Sequence, residues 1–167
     1  MAIQSNIDAF LEIVDQQGKI KGESKDDTHK ELIQIQNFSF GVELSASPTI
    51  GTGLGAGKAV LKQFEFEVNA STASPTLFQH CCEGHHCKSA TLFVRKAGGK
   101  PQDFYVWKFT DLVFTKFEHA CSDDIVEKIA FAYTQVACEY KPQKEDGSLG
   151  SGLKGGWDQK VNKVWQG

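Results

Sequence analysis

Short segments of alternating apolar and polar residues run through the chain. Phe64, Phe66 and Val68 share one parity, and Glu65 and Glu67 lie between them. Because successive side chains of a β-strand point to opposite faces of a sheet, this period of two predicts a strand with one buried face. Further segments that predict strands lie at 33–42, 90–95, 104–109, 112–117, 129–133 and 136–140. The chain is therefore expected to be mainly β.

The alternation changes parity at two places. Ile33 and Ile35 are odd-numbered, whereas Phe38, Phe40 and Val42 are even-numbered. The same change separates the apolar residues of 129–133 from those of 136–140. A change of parity predicts a β-bulge or a bend that turns the second half of the strand toward another face. Bent strands connect packed sheets, so the pattern predicts an all-β fold, a compact β-barrel of two packed antiparallel sheets.

One short helix is expected between residues 74 and 84. Ser74 suits the N-cap, Pro75 suits the first helical position, and Gly84 suits the C-terminal end. A helix of about two to three turns needs tertiary contacts to persist, so it is expected to flank the barrel. The apolar stripe expected to face the barrel consists of Leu77, Phe78, Cys81 and Cys82.

Two glycine-rich segments, 45–58 and 144–156, are expected to form long loops. Long loops in compact domains are commonly functional or become ordered on a partner. The run from Gly150 to Gly155 has the G-x-G-x-x-G spacing of a dinucleotide-binding turn. It lacks the following helix and acidic residue that such a site requires. Both segments are therefore interpreted as flexible loops, the second near the C-terminus, and not as nucleotide sites.

Composition and charge exclude several classes of function. The 167 residues suit one domain, 1–167, with 40% hydrophobic and 23% charged residues. The net charge is −3 without a cluster of Lys and Arg, which argues against nucleic-acid binding. No apolar run approaches the ~20 residues that cross a bilayer, and residues 1–8 do not resemble a signal peptide. Neither membrane insertion nor export with a cleaved leader is expected.

The densest group of possible metal ligands lies in residues 81–87. Zinc binds four nitrogen or sulfur ligands, commonly as two separated pairs, and no second pair lies at such a spacing. No metal, cofactor or catalytic residue is therefore predicted, and the weak metal candidates are Cys82, His85, His86 and Cys87. The alternative interpretation is a helix end, with Cys81 and Cys82 in the core and the imidazoles beside the negative helix terminus. A metal-binding or Cys-based enzyme module and a monomeric β-sandwich binding domain both remain open.

The most specific motif of the chain lies at residues 20–30 and reads IKGESKDDTHK. It resembles the K-G-E-S-x-D-x-x-H-K signature of the hemolysin-coregulated protein (Hcp) family of bacterial type VI secretion. A strand ending Phe38-Ser39-Phe40-Gly41 follows, with Phe where many members have Trp. Further matches lie at 74–77, 94–99, 132–147 and 156–157, so the resemblance covers residues 7–167. The signature residues are Gly22, Glu23, Ser24, Asp26 and His29.

Two features depart from the family pattern. The first strand region, through Gly18, is longer than usual in the family. The Cys and His cluster at 81–87 is not part of the pattern, so the resemblance does not explain it. The chain also has no extension beyond the common domain, which argues against a tube subunit fused to a toxin.

The resemblance implies a non-enzymatic, ring-forming subunit of the type VI secretion inner tube. Six copies of an Hcp subunit form a ring, and rings stack into a hollow tube inside a contractile sheath and beneath a spike. The implied partners are further copies of the chain, the spike protein, the sheath and small effector proteins in the lumen. The resemblance also implies a Gram-negative bacterium, a cytoplasmic location before firing, and secretion afterwards without a cleaved signal peptide.

The resemblance assigns candidate contacts to two segments. The glycine-rich segment 45–58 is expected to contact the neighbouring ring, because glycine allows close backbone approach. Ser39 is expected to face away from the flanking Phe residues and either contacts cargo in the lumen or fills a packed contact. The expected ring-stacking residues are Pro48, Ile50, Gly51, Gly53, Leu54, Gly55, Gly57 and Lys58.

Overall fold

β-strands make up most of the chain. The computed structural model describes residues 7–47, 55–96 and 100–167. Its elements in chain order are β1 (Ile7–Val14), β2 (Ile33–Ile35), β3 (Asn37–Ser39), β4 (Val42–Ser47), β5 (Gly55–Leu61), β6 (Phe64–Asn69), α1 (Ser74–Glu83), β7 (His86–Lys96), β8 (Asp103–Cys121), β9 (Ile125–Ala132), β10 (Gln135–Tyr140), β11 (Leu153–Asp158) and β12 (Lys163–Val164).

The long strand β8 joins two groups of strands in the main sheet. The sheet has the order β12-β11-β10-β8-β7-β1-β2, and β9, β6 and β3 branch from the second half of β8. All of these pairings are antiparallel. A separate two-stranded sheet consists of β4 and β5. The prediction of an all-β fold with packed antiparallel sheets and one short helix is confirmed.

Both predicted changes of parity coincide with breaks between strands. β2 ends at Ile35 and β3 begins at Asn37, so the chain leaves one group of strands for the other at Gln36. β9 ends at Ala132 and β10 begins at Gln135, although both pair with β8. The buried apolar residues on both sides of each break nevertheless meet in one core, which contains Ile35, Phe131 and Val136 and against which Phe38 packs.

The sheet of the predicted β-barrel does not close. The backbone N–H of Gln36 donates to the carbonyl of Glu67 at 2.9 Å, but no ladder among the described residues pairs β2 with β6. The chain itself passes from β2 to β3 through Gln36. At the edge formed by β2 and β6, the two groups of strands are therefore connected by the chain and this hydrogen bond, and not by a β-ladder. The sheet therefore folds over its core and leaves open edges.

Phenylalanine fills the space between the folded halves of the sheet. The Phe64 ring lies 5.0 Å from both the Phe109 ring and the Phe131 ring. Each of these three side chains is 0% exposed. Aromatic pairs at such distances add stability beyond the area that they bury. The 12 Phe residues of the sequence therefore reflect an aromatic core.

The helix ends where predicted but begins and packs differently. Gly84 adopts the left-handed conformation with φ of 61°, which terminates α1. The N-cap is Ala73 and not Ser74, whose hydroxyl instead donates to the carboxylate of Glu127 at 2.7 Å. The predicted apolar stripe is partly confirmed, because Leu77 lies in the core, Cys81 packs against it, and the Phe78 ring lies 5.6 Å from Phe117 of β8. Leu77 and His80 are buried, Cys81 is half-buried, and Phe78 and Cys82 are exposed.

Both predicted loops are shorter than expected. β4 continues to Ser47 and β5 begins at Gly55, so the stacking candidates Gly55, Gly57 and Lys58 belong to a strand. β11 begins at Leu153 and takes up the end of the second segment. Glycine permits close packing in these strands, since a β-carbon at Gly57 would collide with the carbonyl oxygen of Ser45. The candidates Pro48, Ile50, Gly51, Gly53 and Leu54 lie outside the described residues.

Among the residues that the structure describes, α1 is too short and too polar to cross a bilayer.

Candidate assembly surfaces and polar clusters

The signature segment forms a tight backbone turn over β1 and β7. The N–H of Gly22 donates to the carbonyl of Glu31 at 2.7 Å, and the N–H of Glu31 donates to the carbonyl of Ser24 at 2.8 Å. The N–H of Ser24 donates to the carbonyl of Leu32 at 3.1 Å. A β-carbon at Gly22 would lie 2.5 Å from the Leu32 oxygen, so only glycine fits there. This close approach explains the glycine of the signature.

His29 anchors the turn to the sheet. Its ring lies between Phe10 and Phe93, with centroid distances of 4.8 Å and 4.7 Å. His29 Nε2 lies 2.9 Å from Asp103 Oδ1, and the His29 side chain is only 5% exposed. The backbone N–H of His29 also donates to Asp26 Oδ1 at 2.9 Å. The His29 ring thus covers Phe10 on the outer face of β1 and β7 and excludes water from it.

Arg95 and Asp26 form a charged pair beneath the same turn. The Arg95 side chain is 8% exposed, bonds to Asp26 Oδ2, and places its guanidinium 4.7 Å from the Phe10 ring centroid. The hydrogen bond from Arg95 holds the pKa of Asp26 below its usual value and raises the pKa of Arg95 in turn. Ser24 is buried and Glu23 is exposed. Four of the five signature residues therefore stabilise the subunit, whereas Glu23 lies on its surface.

The hairpin of β4 and β5 presents apolar side chains to solvent. Val42 is 60% exposed, Leu44 is 55% exposed and Val60 is 56% exposed. Val42 and Leu44 lie on one face of the hairpin, and Val60, which is paired with Glu43, lies on the other. Contiguous exposed apolar surface is characteristic of protein contacts.

An apolar groove of about 730 Å³ separates the hairpin from β8, β10 and β11. Val42 and Leu44 line one side, and Trp107 and Trp157 line the other. The indole N–H of Trp157 is buried and has no hydrogen-bond partner among the described residues. A buried donor without a partner costs free energy, so the indole N–H of Trp157 is an unsatisfied group in the wall of the groove.

The structure separates the four weak metal candidates. Cys82 is exposed, and Cys87 is buried beneath the helix end. His86 is exposed, with Nδ1 at 3.4 Å from Asp111 Oδ1, whereas His85 lies against His80. Burial, together with the nearby charge of Asp15, raises the pKa of Cys87 to about 11, so its thiol stays protonated near neutral pH.

A different group of possible ligands lies at the end of the helix. Asp15, His80 and His85 each place one ligand atom within 4.8 Å of the other two. Sequence reasoning missed Asp15 and His80, because strand β1 and helix α1 bring them together from 65 positions apart. The one sequence signal was the position of His80 three residues after the apolar Leu77, on the same helical face.

Comparison with known proteins identifies the family. The model of the family described as "Type VI secretion system effector, Hcp" matches residues 10–140. Protein hcp1 of Pseudomonas aeruginosa is 34% identical over 161 residues, which cover 93% of this chain and 97% of that protein. The chain belongs to the Hcp family.

Solved Hcp structures share the fold over nearly the whole chain. Hcp1 from Salmonella typhimurium superposes with a TM-score of 0.79 at 30% identity, covering 96% of this chain and 99% of that one. A solved type six secretion system protein superposes with a TM-score of 0.87 at 28% identity, covering 95% of this chain and 99% of that one.

Family membership decides between the functions that the residues alone left open. This Hcp chain is a subunit of the type VI secretion tube, as predicted, and the family is one of structural tube proteins and not of enzymes. The enzyme or metal module built on residues 81–87 and the monomeric β-sandwich are not favoured. Hcp proteins are secreted through the type VI system.

Ser39 of this Hcp chain lies on the exposed face of β3. Ser39 is exposed, whereas Phe38 and Phe40 pack against the core, so the predicted direction of the serine is confirmed. Its cross-strand partner is Glu65 on β6. This face can contact cargo only if it lines the lumen of an assembled ring.

Proposed function

We propose that six copies of this Hcp chain close into a homohexameric ring, and that rings stack through the hairpin of β4 and β5. The observation that carries the proposal is the exposed apolar surface of the hairpin beside an apolar groove. Val42 and Leu44 leave more than half of their surface in water, at 60% and 55% exposure. Covering such side chains provides a favourable free energy of association.

The hairpin supports a contact that repeats from subunit to subunit. Val60 on one face of the hairpin and the groove on the other face, lined by Leu44 and Trp157, are different surfaces of one molecule. A contact between two different surfaces is heterologous and generates a ring or an open stack. The proposed stacking segment comprises Gly55, Gly57 and Lys58 of β5 together with the intervening residues 48–54.

The exposed face of β3 and β6 is proposed to line the lumen. Ser39 and Glu65 are exposed there, and Lys128 pairs with Glu67 at 3.4 Å on the adjoining surface. A polar wall solvates a channel and allows small effector proteins to bind without aggregation. The spike protein and the contractile sheath are the further proposed partners, with assembly in the cytoplasm before secretion.

The mass of the purified protein in solution tests ring formation. Light scattering is expected to give a species six times the 18.4 kDa of the chain, and negative-stain images are expected to show rings with six-fold symmetry. A mass of 18.4 kDa at high protein concentration, without rings in the images, would refute the proposal.

A matched pair of substitutions tests the role of the hairpin in stacking. Leu44→Glu places a charge on the apolar face and is expected to leave hexamers intact while preventing stacks. Ile125→Glu changes an apolar residue that is 37% exposed at the start of β9 and is expected to leave stacking unaffected. Stacks of normal length with Leu44→Glu would remove the hairpin from the stacking contact.

A further inference from the structure

A buried cluster of two histidines and one aspartate lies at the C-terminal end of α1. His80 Nε2 is 3.1 Å from Asp15 Oδ2, and the His80 and His85 rings are stacked with centroids 4.2 Å apart. Asp15 is 7% exposed, His80 is 9% exposed and His85 is half-buried. The proposed assembly contacts use none of these side chains. Asp15 and His85 lie in the two segments that depart from the family pattern, and His80 directly precedes the second of them.

Local backbone geometry orients all three side chains. Asp15 Oδ1 accepts the N–H groups of Gln17 at 2.7 Å and Gly18 at 2.9 Å, which leaves Oδ2 facing His80. The left-handed turn at Gly84 lets the N–H of His85 donate to the His80 carbonyl at 3.0 Å. This turn folds the His85 ring back onto the His80 ring. The cluster is therefore held by backbone hydrogen bonds and not by flexible side chains alone.

The two imidazoles have unused nitrogen atoms. His80 Nδ1 and His85 Nε2 are buried and have no hydrogen-bond partner among the described residues. A buried polar atom without a partner costs free energy, and two in adjacent rings require an explanation. A cation at the edges of the two rings, bound through one nitrogen of each ring and the Asp15 carboxylate, would give those nitrogens a partner. The negative end of α1 favours positive charge at this position.

We propose that Asp15, His80 and His85 bind a divalent transition metal, with Zn²⁺ as the best chemical match. Zinc takes imidazole nitrogen and carboxylate oxygen ligands and accepts three protein ligands with a water molecule in the fourth position. Zinc–ligand distances of about 2.0–2.2 Å require the ligand atoms to move to about 3.4 Å from one another. The ligand atoms already lie within 4.8 Å of one another, so they need to approach by no more than about 1.4 Å.

The three proposed ligands come from the ends of two elements, β1 and α1. The metal would connect the end of β1 to the end of α1, which are otherwise joined here by the Asp15–His80 contact.

Zinc binding to the untagged full chain tests the site. Equilibrium dialysis against ZnCl₂ is expected to give one Zn²⁺ per chain for the wild type. His85→Ala removes a half-buried ligand, retains the Asp15–His80 pair, and is expected to weaken binding roughly 100-fold or more, since loss of even an outer-shell partner costs 10–100-fold. Zn²⁺ is also expected to raise the melting temperature of the wild type but not of His85→Ala.

Two neighbouring side chains supply matched controls. His86→Ala removes the adjacent exposed imidazole and Cys82→Ser removes the nearest exposed thiol, and both variants are expected to bind Zn²⁺ like the wild type. Co²⁺ bound in place of Zn²⁺ is expected to show d–d absorption without thiolate charge-transfer bands. Circular dichroism checks that His85→Ala folds, and its spectrum is expected to match that of the wild type.

Several outcomes would overturn the site. These are the absence of stoichiometric Zn²⁺ on the wild type, equal affinity of His85→Ala, loss of binding in His86→Ala or Cys82→Ser, or a thiolate band with Co²⁺. The first would leave His80 and Asp15 as a metal-free buried pair, and the second would show that His85 is not a ligand. Ring formation does not enter this measurement, so its result is independent of the assembly proposal.

Discussion

The signature turn and the hairpin of β4 and β5 differ in which side chains they bury. The turn at residues 20–32 buries the polar side chains Ser24 and His29 and satisfies them within the subunit. The hairpin at 42–61 exposes the apolar side chains Val42 and Leu44 to solvent. The turn therefore resembles a protein core, and the hairpin resembles half of an interface.

Two neighbouring segments of the chain, the signature turn and the hairpin, therefore have different roles. Polar residues that bond within the subunit contribute to its free energy of unfolding. Exposed apolar residues contribute little to that free energy and much to association, because only a partner removes them from water. Substitutions in the signature turn are therefore expected to lower the free energy of unfolding, and substitutions in the hairpin are expected to weaken association.

His29→Ala is expected to have the largest effect on stability. It removes the ring between Phe10 and Phe93 and the contact to Asp103, which should lower the free energy of unfolding by about 3 kcal/mol. Denaturant unfolding at one fixed protein concentration measures the change. His29→Phe retains the stacked ring and is expected to lose less than half as much. Equal losses for the two variants would show that ring packing is not the main contribution.

Gly22→Ala is expected to lower the free energy of unfolding by about 2 kcal/mol, because the new β-carbon must displace the Leu32 backbone. The matched control is Gly41→Ala, since a β-carbon there lies 3.9 Å from its nearest neighbour, the side chain of Lys62. The control is expected to unfold like the wild type. A fully stable Gly22→Ala variant would contradict the close approach of residues 22 and 32.

Asp26→Asn is expected to lower the free energy of unfolding by about 1.5 kcal/mol at neutral pH, because the bond to Arg95 loses its negative partner. The native pKa of Asp26 lies below its ordinary value of 3.8, so this stabilisation is complete above that pH. It is lost as the pH falls through the lowered native pKa. The difference between wild type and Asp26→Asn should therefore shrink below pH 3.8, and a constant difference would exclude this ion pair as its cause.

Leu44→Glu is expected to change the free energy of unfolding by less than about 0.5 kcal/mol, because the side chain is already exposed in the subunit. The same substitution is expected to prevent ring stacking. Denaturant unfolding and electron microscopy of one preparation measure both properties. A large loss of stability would place Leu44 in the subunit core and would weaken the contrast between the two regions.

The sequence predicted local features more accurately than long-range ones. The alternation of Phe64, Phe66 and Val68 predicted a strand, and the parity changes predicted the bends near Gln36 and after Ala132. Both features depend only on neighbouring residues. The open edges of the β-barrel were not predicted, because closure depends on pairing between distant strands. The helix stripe was only partly right, since His80 is buried and Cys82 is exposed, and the position of β8 that decides this is not encoded in local periodicity.

The candidate site was only partly predictable for the same reason. The signature run identified the family, but the partners of its side chains, Asp103 and Arg95, lie about 70 positions away, at separations of 74 and 69. Glycine richness suggested loops in regions where β4, β5 and β11 in fact pair closely. The Asp15–His80–His85 cluster was not predictable, because its members come from different elements.

Hydrogen–deuterium exchange on assembled and dissociated protein tests the contrast between turn and hairpin most directly. If the hairpin makes the stacking contact, assembly should slow exchange of the amides at 42–47 and 55–61 and leave those at 20–32 unchanged. Unchanged exchange in the hairpin, or slowing confined to the signature turn, would contradict the assignment of assembly to the hairpin.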